Sequence, residues 1–119
     1  MATIKSFTDL QQSRKLAEIL PLESADMFYK AGNDTQPTFG LLSYGHIMSN
    51  DDIPCWSLAG LLSVLPAECE CMSLEHINYG NNHKKYFMSY IGGENTDTYD
   101  NPVDACVDMI GNLNELNLL

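Results

Sequence analysis

The chain has 119 residues, of which 45% are hydrophobic and 18% charged, and its formal net charge is −10 at pH 7. This composition is typical of a globular protein, and the length predicts a single domain over residues 1–119. The length excludes a complete kinase, a (β/α)8 barrel or a dinucleotide-binding domain with a partner domain, because each needs far more residues.

The negative charge is unevenly distributed along the sequence. Residues 31–83 contain six carboxylates and neither lysine nor arginine. Because nucleic-acid affinity comes largely from cationic side chains that release counterions, we expect no direct nucleic-acid binding, and anionic membrane surfaces are disfavoured for the same reason. The sequence also lacks an apolar run of about 18 residues and the apolar core of a signal peptide, which predicts a cytoplasmic protein without membrane contact.

A helix and a strand hairpin are predicted in the first third of the chain. Thr8 is the expected helix cap, with Gln11 completing a capping box, and Pro21 ends the helical run. Residues 25–42 then contain two apolar segments separated by the turn cluster at 32–34, which predicts a pair of strands.

A second helix is predicted after the loop at 50–52, with its start near Ile53 and Pro54. The residues from Trp56 to Leu65 are apolar on almost every side of a helix. The sequence therefore predicts a short helix that is buried all round.

A second hairpin is predicted between residues 69–79 and 84–91, with Asn81 and Asn82 as the central pair of its turn. This register assigns one side of each strand to the core and the other to the surface. The expected core face comprises Met72, Leu74, His76, Phe87, Ser89 and Ile91, and the expected outer face comprises Ser73, Glu75, Ile77, Tyr86, Met88 and Tyr90.

A polar loop at 94–100 leads to the most strongly patterned helix. Asn101 is the expected cap, Pro102 suits the first helical position, and Asp104 is favoured near the positive end of the helix dipole. The expected buried stripe comprises Val103, Cys106, Val107, Ile110, Leu113 and Leu116. The order α-ββ-α-ββ-α predicts an α+β fold in which antiparallel sheet packs against helices.

Two segments carry a resemblance to a known group of proteins. Residues 54–62 read P-x-W-S-L-x-x-L-L, and residues 101–105 read N-P-x-D-A at the start of the last helix. These patterns resemble small proteins of anaerobic gut bacteria and of their phages and mobile elements, over roughly the second half of the chain. That group has no assigned activity, so the resemblance implies a bacterial or phage cytosolic protein and no functional residue.

The cysteines are the main candidates for chemistry. Cys69 and Cys71 form a C-x-C pair that, with Cys55 and a histidine, has the donor types of a soft-metal site. The sequence contains no second cysteine pair of this kind, so we expect these thiols to pack as small apolar groups. A thiol nucleophile needs a neighbouring base, and the negative charge of the chain opposes thiolate formation. The histidines available as such a base are His46, His76 and His83. We therefore expect no catalytic residue, bound metal or cofactor.

Two surface features are candidate binding regions. The first is an interaction surface on the outer face of the second hairpin, rich in aromatic residues and methionine as interface cores are. It comprises Tyr79, Tyr86, Met88 and Tyr90. The second is an acidic ridge that leads into the last helix, and it comprises Asp97, Asp100, Asp104 and Asp108.

The sequence favours a non-enzymatic protein-interaction module that binds a protein partner or a second copy of itself through the second hairpin. One alternative is an acidic inhibitor in which the ridge imitates nucleic-acid phosphates and occupies the basic groove of a DNA- or RNA-binding protein. A further alternative is a small metal-binding protein or enzyme built on the cysteines.

Overall fold

A computed structural model of the chain describes residues 5–30, 37–39, 52–66, 72–80, 84–90, 93 and 95–119. Within these residues it contains three α-helices and two antiparallel sheets that alternate along the chain. The α+β class and the predicted alternation of helices with strand pairs are confirmed, and one further short strand precedes the second helix. The chain forms two compact units, Phe7–Val64 and the residues on either side of that segment. The single domain stays a prediction.

The first helix, α1, comprises Leu10–Ala17 and begins one residue later than predicted. Asp9 is its cap: the Asp9 carboxylate accepts a hydrogen bond from the Gln12 backbone N–H at 2.8 Å, and the Gln12 side chain accepts one from the Asp9 N–H at 3.1 Å. The predicted box of Thr8 and Gln11 is wrong because Thr8 is fully buried and its hydroxyl bonds inside the unit.

Three short strands, Met27–Tyr29 (β1), Thr38–Phe39 (β2) and Ile53–Cys55 (β3), form the first sheet. Their order is β2-β1-β3, and both pairings are antiparallel. The pairing of β1 with β2 confirms the first predicted hairpin, whose turn at 32–34 lies outside the described residues. All three residues of the central strand are buried, so β1 contributes its whole side-chain surface to the interior.

The strand β3 was not predicted, because Pro54 resembled the first residue of a helix. In the structure Pro54 lies opposite Phe28, on a strand at the edge of the sheet. Proline is tolerated at an edge, where a missing N–H need not break a ladder hydrogen bond. The helix starts four residues later than this proline.

The second helix, α2, comprises Leu58–Ser63, and the Ser57 hydroxyl caps it by accepting from the Gly60 N–H at 3.1 Å. Only Gly60 and Leu61 are buried, whereas Leu62 is 41% exposed. The prediction of a helix buried all round is therefore wrong. Trp56 is fully buried as expected of a core residue, but it precedes the helix.

The second sheet is the hairpin of β4, Ser73–Asn78, and β5, Lys84–Ser89. Its two strands confirm the second predicted hairpin, and α3, Pro102–Glu115, packs against both of them. The predicted cap of α3 is confirmed, because the Asn101 side chain accepts from the Asp104 N–H at 2.9 Å and Pro102 occupies the first turn.

The buried side of α3 differs in part from the predicted stripe. Leu116 is 59% exposed and Val107 is half-buried. Leu116 follows the last helical residue, so the stripe ends before it. The side chains of α3 that are buried are Pro102, Val103, Ala105, Cys106, Met109, Ile110 and Leu113.

Candidate functional site

The register of the second hairpin decides where the predicted interaction surface lies. In the structure Leu74 is opposite Met88 and His76 is opposite Tyr86. With Asn81 and Asn82 as the central pair, the prediction places Leu74 opposite Ser89 instead. The observed register differs by one residue, and because side chains alternate between faces, every residue of β5 lies on the other side from the one predicted.

This register removes Met88 from the predicted interaction surface. Met88 is 1% exposed, and Tyr86 and Tyr90 are half-buried. Of the predicted residues, Tyr79 alone is largely exposed, at 60%. The prediction of a surface made of all four side chains is wrong; the exposed apolar residues of this hairpin are Tyr79 and Ile77, the latter 39% exposed.

The predicted polar loop before α3 is paired with β5. Tyr99 and Tyr86 exchange backbone hydrogen bonds of 2.7 and 2.8 Å, and the Thr96 N–H donates to the Met88 carbonyl at 2.9 Å. The Met88 N–H in turn donates to the Thr96 hydroxyl at 2.9 Å. Residues 96–99 thereby occupy the edge of β5 that is directed away from β4. The β-forming residues of this segment, Thr96, Thr98 and Tyr99, were the available signal.

The same hydrogen bonds fix the direction of the backbone groups of β4. Tyr86 and Met88 direct their N–H and C=O groups toward residues 96–99, so they direct none toward β4. In an antiparallel pair, the residues opposite them must also direct these groups away from their partner strand. Residues 74, 76 and 78 therefore present their backbone groups at the outer edge of β4. No further strand pairs with that edge among the described residues.

The carboxylates of the acidic ridge, Asp97, Asp100, Asp104 and Asp108, have different surroundings. Asp97 is exposed. Asp100 forms an ion pair with Lys85 at 2.5 Å, and Asp104 forms one with Lys5 at 2.8 Å. Two members of the ridge therefore share their charge with lysines, which weakens the field that a row of unpaired carboxylates produces.

Asp108 is bound by a tyrosine. The Tyr99 hydroxyl donates to the Asp108 carboxylate at 2.7 Å. Burial, followed by this hydrogen bond and the charge of Asp108, raises the pKa of Tyr99 to about 12. The neutral Tyr99 hydroxyl thus joins residues 96–99 to α3. The Asp108 carboxylate therefore has a structural role.

Cys55 lies in a fully buried cluster of polar side chains. The Thr8 hydroxyl contacts the Ser13 hydroxyl at 2.8 Å and the Cys55 sulfur at 3.4 Å. The Tyr29 hydroxyl donates to the Thr8 carbonyl at 2.8 Å, and the Trp56 N–H donates to the Thr8 hydroxyl at 3.2 Å. Each of these polar groups has a hydrogen-bond partner within the cluster, as buried polar groups require.

The surroundings of both described thiols favour the protonated form. Burial raises the pKa of Cys55 above its ordinary 9.0, although hydrogen bonds from Thr8 and Ser13 act in the opposite direction. Burial raises the pKa of Cys106 to about 12. Because the thiolate is the nucleophile and the metal ligand, these two buried thiols are arranged for packing.

The other candidates for chemistry are mostly outside the described residues. Cys69, Cys71, His46 and His83 lie there, whereas His76 is exposed on β4 with its ring 6.1 Å from that of Tyr86. In the part of the chain that the structure describes, no three ligand-type side chains are grouped for a metal ion.

A carboxylate that no sequence motif marks, that of Asp26, organises the start of α2. Asp26 accepts from the Ser57 backbone N–H at 2.9 Å and makes a short hydrogen bond with the Ser57 hydroxyl. A Cβ at Gly60 would lie 2.8 Å from the Asp26 carboxylate. Asp26, Ser57 and Gly60 thus form one tight cap, and the sequence signal was the Ser-x-x-Gly spacing.

In the described ranges no helix is long and apolar enough to cross a membrane. No family model, curated protein or solved structure matches the chain. The function is therefore inferred from the exposed and buried groups of this chain itself.

Proposed function

We propose that the chain is a non-enzymatic protein-interaction module that binds a protein, or a second copy of itself, through the exposed side of the β4–β5 hairpin. The observation that carries this proposal is the exposure of β4: residues 75–78 are all exposed, and the adjoining Tyr79 is 60% exposed. Exposed apolar and aromatic groups beside unpaired strand backbone are features of binding surfaces.

The surroundings of the two thiols that the structure describes support the non-enzymatic part of the proposal. Cys55 and Cys106 are buried free cysteines, and burial raises the pKa of both. Free thiols also accord with a reducing compartment, and we propose a cytoplasmic location. The origin from gut bacteria, their phages or mobile elements remains part of the proposal through the sequence resemblance.

Nucleic-acid imitation receives less support. Asp100 and Asp104 are ion-paired with lysines, and Asp108 accepts a hydrogen bond from Tyr99. An imitation of a phosphate row needs carboxylates that are free to meet a basic groove, so the hairpin is the better supported binding region.

The proposal is tested by changing the exposed apolar groups of the hairpin. The double variant Ile77→Glu with Tyr79→Glu should lose binding, both to itself in sedimentation velocity and to proteins captured on the immobilised parent chain. Charged groups are depleted from interface cores because their desolvation is costly. Circular dichroism should stay unchanged, since both side chains are exposed.

The matched control is Leu22→Glu. Leu22 is 47% exposed and lies outside the hairpin, so this variant should bind as the parent does. Equal binding by the parent and the double variant, or no binding by the parent in either assay, contradicts the proposed function.

A further inference from the structure

We infer that β4 pairs edge to edge with β4 of a second copy of this chain, in an antiparallel register centred on His76. This inference rests on the proposed function and names the partner and the mode of binding. It starts from the backbone groups of residues 74, 76 and 78, which are directed away from β5 and have no strand beside them among the described residues.

The side chains of β4 itself do not include the residues that usually protect an edge strand against strand addition. Exposed edge strands are commonly blocked by lysine, by proline or by a bulge. The sequence of β4 is Ser-Leu-Glu-His-Ile-Asn, and its six residues pair continuously with β5. The strand contains no lysine, arginine or proline, and Glu75 is its only acidic residue.

Among the described residues, the hairpin has one edge without a neighbouring strand rather than two. The far edge of β5 is occupied at Tyr86 and Met88 by residues 96–99. A second copy that adds to β4 meets the same single edge, so the pairing closes after two chains instead of extending into a fibre. This closure favours a second copy of the chain as the occupant.

Symmetry and charge select the register. A two-fold axis perpendicular to a continuous sheet relates the two copies of β4. Two residues that face each other across the strands have their side chains on the same side of the sheet, so both have even numbers or both have odd numbers. The numbers of two facing residues therefore add to an even number. With Leu74 facing His76, Glu75 faces Glu75 of the other copy, which like charges oppose. With His76 facing its own equivalent, Leu74 faces Asn78 and Glu75 faces Ile77. This register uses all the outward residues of β4 and separates the carboxylates.

A cysteine cross-link tests this register directly. In the variant His76→Cys the new thiols face each other across a hydrogen-bonded pair, whose Cα atoms are about 5.5 Å apart, within disulfide range. The matched control is Asn78→Cys, whose two copies are offset by four residues, or about 13 Å. Both variants carry Cys69→Ser and Cys71→Ser, and circular dichroism checks their folding.

The expected result is a concentration-dependent dimer of the parent in sedimentation equilibrium and rapid oxidation of His76→Cys, but not of Asn78→Cys, to a covalent dimer. The variant His76→Lys, which opposes two lysines at the axis, should weaken the dimer by about fivefold. A parent that stays monomeric to millimolar concentration overturns the inference, as does equal cross-linking of the two cysteine variants or of neither.

These outcomes separate the inference from the proposed function. If the parent is monomeric while the variant Ile77→Glu with Tyr79→Glu loses a protein that the parent captures, the β4 pairing is wrong and the proposed function stands. If neither self-association nor capture occurs, both are wrong.

Discussion

In the unit Phe7–Val64, the buried groups around the first sheet include hydroxyls and a thiol joined by hydrogen bonds, whereas the buried side of α3 in the other unit consists almost entirely of apolar groups. Thr8, Ser13 and Cys55 are each fully buried and in mutual contact. Cys106 on α3 is equally buried, and burial is the cause of its raised pKa.

This difference separates two ways of fixing a structure. An apolar stripe on a helix stabilises the fold through the area that it removes from water, and it tolerates exchanges between apolar side chains of similar volume. A buried hydrogen-bonded cluster stabilises only when every member has its partner, so it specifies one arrangement. Substitutions at Trp56, Thr8 and Cys106 test this contrast, and the expected loss of stability, counted for each pH unit at Cys106, decreases in that order.

The largest effect is expected for Trp56→Ala. Trp56 is fully buried, and its indole N–H donates to the Ser24 hydroxyl at 3.0 Å. Removing the ring should lower the free energy of unfolding by about 3–5 kcal/mol, measured by urea denaturation with circular dichroism. The control is Leu62→Ala, at a side chain that is 41% exposed, which should lose less than about 1 kcal/mol. Equal losses contradict the burial of Trp56.

A smaller loss is expected for Thr8→Val, which keeps the shape of the side chain and removes its hydroxyl. The backbone N–H of Trp56 and the Ser13 hydroxyl then lose a buried partner, which should cost about 1–3 kcal/mol. Thr8→Ser keeps the hydroxyl and loses one methyl group, for about 1 kcal/mol. A loss for serine that exceeds the loss for valine shows that packing, not hydrogen bonding, is the function of Thr8.

The smallest effect, when it is counted for each pH unit, is expected in alkaline solution, where the buried thiol of Cys106 on α3 titrates. Burial raises the pKa of Cys106 from 9.0 to about 12 in the folded protein. Because the raised pKa is that of the folded state, the stabilisation is complete below pH 9 and is lost as the pH rises toward about 12. The loss is at most about 1.4 kcal/mol for each pH unit.

The variant Cys106→Ala should therefore show a shallower decrease of unfolding free energy above pH 9 than the parent. Met109→Ala is the control, since Met109 is also fully buried on α3 and does not titrate. It should lower stability at every pH without changing the slope. Parallel pH dependences for the parent and Cys106→Ala contradict the assignment of this titration to Cys106.

The same contrast explains which parts of the fold could be predicted. The periodic apolar positions of α3, with Asn101 and Pro102 at its start, identify the helix and most of its buried side, because such signals are local. The predicted start of the first helix is one residue too early because two residues suited to capping, Thr8 and Asp9, are adjacent. Only the burial of Thr8 decides between them, and burial depends on neighbours that are distant in sequence.

The candidate site was predictable at the level of the hairpin and not at the level of its faces. Two apolar segments around a Gly-Asn turn identify the strands, but a register change of one residue moved Met88 from the surface to the interior. The pairing of residues 96–99 with β5 involves a segment whose polarity favours a loop. That pairing leaves β4 as the edge that has no neighbouring strand in the described part of the chain.

The amino-acid sequence alone is enough to identify the α+β class, the existence of the helices and hairpins, the cap of the last helix and the acidic charge. These features follow from side-chain periodicity, capping chemistry and composition, which act over a few residues or over the whole chain. The folded structure is needed to identify which hydroxyls are buried, which face of β5 is interior and, among the described residues, which edge of the hairpin has no neighbouring strand. Those depend on contacts between residues distant in the sequence, which local patterns do not encode.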